Sequence, residues 1–460
     1  MMNDEHDPAW TYPAALRALW DRSAYDRGYI ADPFGSPDSA ARGLRRVVAL
    51  LDRLDRPQER FAVVHVAGSK GKGSTAAMIA TVLTQAGHRV GLSTSPHLHS
   101  WRERIMFDGE PIDEPRFTDL AHRVITVAAE LEQDEPSLGA VTTFELVTAM
   151  GLDAFAAARC NVAVVEVGLG GIYDATNVVM PVVAAITRLD FEHTAVLGPR
   201  LVDIAVAKAG IIKPGKPVVV SPQSADALAV IAAAARERQS PIWVGGRDWQ
   251  WDGTWREFTA VGPWGRYAGL RSNLPGTHQV ENACTAIAAL WCVDQAGIAV
   301  TPASIAEGLA SVQWPGRFER VTDWRGRTFI LDSAHTPAAT TALAETIAAE
   351  YPGQRAVVVL GTSSDKDVPA LIRPLQSVTT EVISTRSISP RAAATDLVAA
   401  GVRETGLTTE EMAPVAAAVA HAAARASDDG LVVVTGSLFT VAAAREALGL
   451  AEPDPPITGV

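Results

Sequence analysis

The sequence predicts an α/β protein of two domains, each built on a mainly parallel sheet covered by helices. Three features predict it. From residue 61 onward, short runs rich in Val and Ile alternate with longer amphipathic stretches, the pattern of buried parallel strands joined by crossover helices. The alternation stops over residues 243–275, and a second series begins near residue 327. The chain has 460 residues, too many for one ordinary core.

The elements follow in order. "FAVVHVAG", "RVGLSTS", "NVAVVEVGLG", "VVAAITRL" and "KPVVVS" read as buried strands. "TTFELVTAMGLDAFAAARC" and "PRLVDIAVAKAGI" read as helices between them. Residues 243–275 are dense in Trp and Gly and read as short antiparallel hairpins, with the tryptophans packing them. "HQVENACTAIAALWCVDQAG" is a helix ending at Gly297. The second series has strands "TFILDSA", "RAVVVLGTS", "TEVISTRS" and "LVVVTGSL". Pro315-Gly316 reads as a linker, which divides the chain into domains 1–310 and 311–460.

Composition excludes several classes. A net charge of −12 argues against a general nucleic-acid or membrane-surface binder. Cys160, Cys284 and Cys292 are odd in number and form no C-x-x-C pair, so a disulfide framework or zinc site is not expected. The opening "MMNDEHDPAW" lacks a basic segment followed by an apolar one, and no apolar run reaches membrane-spanning length. A reducing cytoplasm fits these features.

Polar and glycine residues cluster where strands end, at 68–74, 93–97, 166–177, 190–193, 332–336, 361–367 and 435–437. Open parallel sheets bind ligands beyond the carboxyl ends of their strands. In "HVAGSKGKGST" a strand feeds a Gly-rich turn that opens a helix. Gly68, Gly71 and Gly73 let backbone N–H groups approach phosphate oxygens, and the helix N-terminus favours negative charge. Lys72 would reach the β/γ phosphates of a nucleotide, and Ser74 or Thr75 a magnesium ion. The strict pattern G-x-x-x-x-G-K-[ST] fails, because Gly73 separates Lys72 from Ser74. "EVGLGGIYDATN" fails the dinucleotide fingerprint at Tyr173, so Glu166 reads as an acidic metal ligand or a strand-end surface acid. Asp190, Glu192 and His193 share another strand end, where the histidine reads as a metal ligand or a structural residue. Lys208 stands in an apolar helix, where a lysine ordinarily snorkels to solvent.

The ordered set "HVAGSKGKGST", "TSPHLHSWRERI", "TTFE", "EVGLGGIYDATN", "HTAVLG", "KAGIIKPG", "GTHQVENA", "PGRFE", "LDSAHTPAA" and "TGSLF" resembles folylpolyglutamate and dihydrofolate synthases, which are Mur-ligase-like amide ligases. The likeness covers about residues 40–440. It implies a P-loop ATPase-type N-terminal domain with a pterin-side pocket and a smaller Rossmann-like C-terminal glutamate-ligase domain. It also implies ATP and two Mg2+ ions as cofactors, and L-glutamate and a reduced folate or dihydropteroate as substrates. A monomer with no nucleic-acid or membrane partner is expected. The implied reaction passes through an acyl phosphate, in a cleft that closes between the domains.

By this resemblance Gly68, Ser69, Lys70, Gly71, Lys72, Gly73, Ser74 and Thr75 hold the nucleotide, joined by Asn282, Arg317 and Asp332. Ser95, Glu166 and His193 look like magnesium ligands. Lys208 matches a lysine that the family carbamylates, turning a cation into an anionic ligand. Lys72, Lys208, Arg317 and His335 are the implied catalytic residues, and Thr143, Phe144 and Asp174 the substrate-binding ones. The family's loop usually reads Gly-Thr-Asn-Gly-Lys-Gly-Ser, so the displaced serine is normal there. Ser69 and Lys70 depart from it, as do Glu192 for a usual Asp and Ala207 for a usual Glu. The competing readings are an amide ligase of the same superfamily acting on a non-folate carboxylate, a P-loop phosphohydrolase, and a nucleotide-binding paralogue without folate activity.

Overall fold

A computed structural model describes residues 10–23, 33–324, 326–427 and 430–457; most of the segment read for a leader, residues 1–9, lies outside them. The chain forms two units. The first takes in residues up to Ser272, then Val280–Val312 and the residues from Pro455 on; the second takes in Asn273–Gln279 and Gln313–Asp454.

The first unit is built on β1 (Ala62–Ala67), β2 (Val90–Ser93), β3 (Met106–Phe107), β4 (Glu110–Pro111), β5 (Val162–Glu166), β6 (Val183–Ile186), β7 (Val218–Val220) and β8 (Ile242–Val244). Their order across the sheet is β4-β3-β2-β5-β1-β6-β7-β8. From β2 to β8 all neighbours are parallel, and β3 and β4 add an antiparallel edge. The central strands are buried because Val, Ala and Ile fill both of their faces. Val66 pairs with Glu166, and Ala67 with Ile186. The turns that follow β1, β5 and β6 therefore leave from one edge of the sheet.

Two apolar cores hold this sheet. Val63, Ala163 and Val165 pack with Leu16, Phe117 and Phe155 of helices Tyr12–Asp21, Glu114–Asp134 and Thr143–Ala157. Ala184, Ile186 and Val218 pack with Ala205 and Ile231 of helices Leu201–Ala209 and Ala225–Glu237. The Trp-rich stretch forms the expected hairpins, β9 (Gln250–Thr254), β10 (Glu257–Gly262) and β11 (Gly265–Leu270), all antiparallel. Trp249 and Trp255 are buried, so packing is their role. The helix Thr277–Gln295 stops just before Gly297, as its sequence implies.

The second unit carries β12 (Glu319–Trp324), β13 (Arg327–Leu331), β14 (Ala356–Leu360), β15 (Thr379–Ser384), β16 (Thr409–Glu411) and β17 (Leu431–Thr435). Their order is β12-β13-β17-β14-β15-β16, parallel throughout except for the β12–β13 hairpin. Apolar cores built on Ile330, Val358 and Val433, and on Phe329, Val359 and Val434, tie it to its helices. Among the described residues no helix is long and apolar enough to cross a membrane.

Candidate active site

β1 delivers the chain into the turn 68–71, and the helix Lys72–Gln85 begins at once. Two glycines are required here. A Cβ on Gly68 would fall 1.8 Å from Thr187 Oγ1, and one on Gly71 would fall 2.2 Å from Asn282 Oδ1. Gly71 also has φ +83°, a left-handed conformation that suits glycine. As the N-cap residue it starts the helix without a side-chain cap hydrogen bond. The Ser69 and Lys70 amides, by contrast, both donate to the Arg188 carbonyl at 3.0 Å, and Ser69 Oγ donates to the Asp190 carbonyl at 2.9 Å. These two residues tie the loop to the turn after β6. Thr75 Oγ1 is fully buried and has no hydrogen-bond partner.

Lys208 does not snorkel. Its side chain is 1 % exposed and its Nζ lies 2.7 Å from Glu192 Oε1. Burial pushes the amine down to about 8, and the Lys72 charge pushes the same way. Burial works to raise the Glu192 carboxyl, but the Lys72 and Lys208 charges outweigh it and hold that group below its ordinary value. Lys72, Glu192 and Lys208 thus interact as one cluster beside the glycine turn. His193 stands next in sequence with a left-handed backbone, φ +46°.

Glu166 ends β5, is 6 % exposed, and accepts the Ser95 amide at 3.2 Å from beyond β2. Ser95, Glu166, Arg104, Phe144, Thr148 and Thr176 line one small cavity. Ser95, just past β2, and Glu166, at the end of the neighbouring β5, are hard oxygen donors, which suits magnesium. Among the described residues no three His, Cys, Asp or Glu side chains form a metal cluster by themselves. A Mg2+ ion here would therefore lean on the serine hydroxyl and on phosphate oxygens.

Thr143 and Asp174 are used internally. Thr143 Oγ1 donates to the Leu19 carbonyl at 2.6 Å. Asp174 accepts from the Leu169 amide at 2.9 Å, the Thr176 amide at 3.0 Å and Thr176 Oγ1 at 2.5 Å. Its carboxylate folds the loop 168–176 onto itself. Burial raises that carboxyl above its usual range against the pull of these donors.

Arg104 was not foreseen. It is 8 % exposed, donates from Nε to His97 Nδ1 at 2.9 Å, and stacks its guanidinium 4.6 Å over Trp101. Burial, then the Arg104 charge, drives His97 well below its ordinary value. Its sequence signals were its place in the motif "TSPHLHSWRERI" and in a polar run just after a strand-end cluster.

In the second unit Asp332 follows β13 and accepts the Phe318 amide at 2.8 Å and the Ala334 amide at 2.9 Å. Burial raises its carboxyl, opposed first by the Arg317 charge. Arg317 Nη1 donates to the Gly316 carbonyl at 3.1 Å. His335 Nδ1 lies 2.8 Å from the Ser333 carbonyl, which requires the proton on Nδ1. Asp332 therefore joins Arg317 and His335 through backbone bonds.

Two family models match the chain: the Mur ligase middle domain over residues 116–290 and the Mur ligase glutamate ligase domain over residues 316–438. The dihydrofolate synthase/folylpolyglutamate synthase of Mycobacterium tuberculosis is 34 % identical over 448 residues, covering 88 % of this chain and 90 % of that one. The folylpolyglutamate synthase of Lacticaseibacillus casei is 34 % identical over 410 residues, covering 88 % and 94 %. The chain belongs to the folylpolyglutamate synthase/dihydrofolate synthase family.

Solved structures of the family agree. The M. tuberculosis folylpolyglutamate synthase complexed with ADP superposes with a TM-score of 0.83 at 31 % identity, covering 96 % of this chain and all of that one. Escherichia coli FolC in complex with DHPP and ADP gives 0.82 at 29 % identity, covering 96 % and 98 %. In this folylpolyglutamate synthase relative, the predicted residues fall into local groups. Gly71 meets Asn282; Lys72, Glu192 and Lys208 interact; Ser95, Glu166 and Phe144 share a cavity.

Proposed function

We propose that the chain is an ATP-dependent ligase that adds L-glutamate to the carboxylate of a reduced folate or dihydropteroate. The observation that carries this reading is the uncapped glycine turn at the start of the helix Lys72–Gln85, with the Lys72, Glu192 and Lys208 charges clustered beside it; Phe144, Ser95 and Glu166 line a small cavity of the same unit.

The substrate carboxylate attacks the γ-phosphorus of ATP, forming an acyl phosphate and releasing ADP. The neutral α-amine of glutamate then attacks the acyl carbon; the amide forms, phosphate leaves and the amine gives up a proton. Positioning and charge neutralisation do most of the protein's work in such transfers. Lys72, at the helix start, neutralises the β/γ phosphates. We assign the pterin function and the glycine-turn and Asn282 share of the nucleotide function to residues 1–310, and glutamate ligation together with the Arg317 and Asp332 share of the nucleotide function to residues 311–460. Arg317 and His335 are the second unit's candidates for stabilising charge. Phe144 contacts the pterin, while Thr143 and Asp174 hold the segments that frame it.

Ser95, Glu166 and His193 would hold Mg2+, with Lys208 completing a second site as a carbamate. Magnesium would supply charge neutralisation at the transferring phosphate. Lys208 now pairs with Glu192, so a carbamate beside that carboxylate needs a cation between the two anions. All three cysteines are free and buried; a cytoplasmic setting and a monomer remain part of the proposal.

The test is phosphate release with ATP, glutamate and a panel of carboxylates. Turnover is expected with dihydropteroate, tetrahydrofolate or both. Failure with both pterins, or turnover only with a cell-wall precursor, overturns the folate assignment.

A further inference from the structure

A buried hydrogen-bond relay runs behind the cavity that Phe144 and Thr176 share, and His65 starts it. His65 sits in β1, fully buried, in a strand otherwise made of Val and Ala. Its Nε2 lies 2.9 Å from Thr176 Oγ1, which lies 2.5 Å from Asp174 Oδ1. A hydroxyl has a single proton. Asp174 also receives the Leu169 and Thr176 amides, so its carboxylate is an acceptor on every side the loop presents. The Thr176 proton therefore points at Asp174, and Thr176 Oγ1 accepts from His65.

That direction fixes the imidazole as the tautomer with its proton on Nε2. Two further facts agree. His65 Nδ1 has no hydrogen-bond partner, which is tolerable for a lone pair and costlier for a buried N–H. Burial, with the Lys213 charge behind it, keeps the ring neutral by pushing its pKa down to about 3. Lys213 itself donates to the Asn177 carbonyl at 2.7 Å, one residue beyond Thr176.

We propose that His65 is a positioning residue for the pterin-bearing substrate. Through one Nε2–H bond it orients the Thr176 hydroxyl, which with Asp174 sets the shape of the loop 168–176 at the cavity wall. This rests on the folate-ligase reading above. A histidine that merely filled space in β1 would affect stability and every kinetic constant alike.

The discriminating pair is His65→Gln and His65→Asn. The Gln amide nitrogen reaches the position of Nε2 and can donate to Thr176; the Asn amide stops a methylene short. In the full chain, H65Q is expected to keep the Michaelis constant for the pterin carboxylate within about threefold of the parent. H65N is expected to raise it about tenfold, the loss of one oriented hydrogen bond, with the constants for ATP and glutamate unchanged. Equal behaviour of the two variants, or a rise in the ATP constant in step, overturns the proposal. A second measurement needs neither substrate nor variant. Ring 15N NMR of the histidine-labelled parent protein should show His65 protonated at Nε2; protonation at Nδ1 overturns the relay. If no pterin is turned over, the folate reading fails, while the tautomer result still judges the relay.

Discussion

Replacing Arg46 with Met removes the positive half of a buried ion pair and tests what the Glu of "TTFE" does. Arg46 and Glu145 are 12 % and 9 % exposed at the side chain. The guanidinium donates from Nε to Glu145 Oε2 at 2.9 Å and from Nη2 to Oε1 at 2.6 Å, a two-pronged contact, and from Nη1 to the Leu138 carbonyl at 2.7 Å. Glu145 Oε2 also accepts the Thr142 amide at 2.8 Å, capping the helix that carries Thr143 and Phe144. Met fills similar volume but leaves Glu145 buried with one backbone donor. Stranding a buried charge in this way costs about 3–5 kcal/mol. Lys keeps the charge and loses the fork, at roughly 1–2 kcal/mol. Urea unfolding followed by tryptophan fluorescence measures both. Because the pair anchors the start of the Phe144 helix, R46M should also raise the Michaelis constant for the pterin carboxylate more than that for ATP. R46M within about 1 kcal/mol of the parent, or R46K indistinguishable from R46M, refutes the argument.

Further outcomes are expected. Lys72→Ala should lower the turnover of ATP-dependent amide synthesis by about 10²–10³-fold, the usual loss for one charge-stabilising donor; near-normal turnover in a phosphate-release assay removes Lys72 from that role. Incubation with 13C-bicarbonate should give a Lys208 carbamate signal in 13C NMR only when Mg2+ and nucleotide are present, because Glu192 otherwise holds the amine as an ammonium; a signal without Mg2+, or none in the active enzyme, contradicts this. His65 should add an acid sensitivity. Its folded pKa of about 3 lies below the ordinary 6.5. Between those values the unfolded chain binds a proton that the folded one does not, so stability is full above 6.5 and falls with pH below it. At pH 5 the loss is about 2 kcal/mol relative to pH 7, and H65Q should lack that part of the profile; parallel profiles in urea would show that the ring is not held neutral.

The fold was largely legible because its central strands are Val-rich runs with glycines after them, and those signals are local. The glycine turn was legible for the same reason: strand, turn and helix are contiguous from Ala62 to Gln85. The edge pair β3–β4 was not, since two-residue strands carry no periodicity. Side-chain partnerships across the chain were not legible either. Arg104 lies in "WRER", part of the motif "TSPHLHSWRERI", and only the fold brings it to Glu166 and Phe144. His65 in a Val-rich strand reads as core, which it is; its hydroxyl partner lies 111 positions away.

The two departures around Lys208 are best understood together. An apolar helix gives a lysine no reason to stay inside, and local sequence alone sends it to solvent. It stays inside because Glu192 reaches it from the turn after β6. An aspartate there would be shorter by one carbon–carbon bond, about 1.5 Å, and from the same backbone position would leave the 2.7 Å contact beyond hydrogen-bonding distance. Ala207, for its part, lends its carbonyl to the Ile172 amide at 2.9 Å, in the loop that Asp174 folds. The backbone carbonyl at this position thus serves the loop, whatever side chain stands there. With no acid at 207, the longer side chain at 192 supplies the counter-charge from outside the helix. Glu192→Asp is therefore the harsher change at this site than its conservative chemistry suggests: it leaves the charge in place and removes its reach.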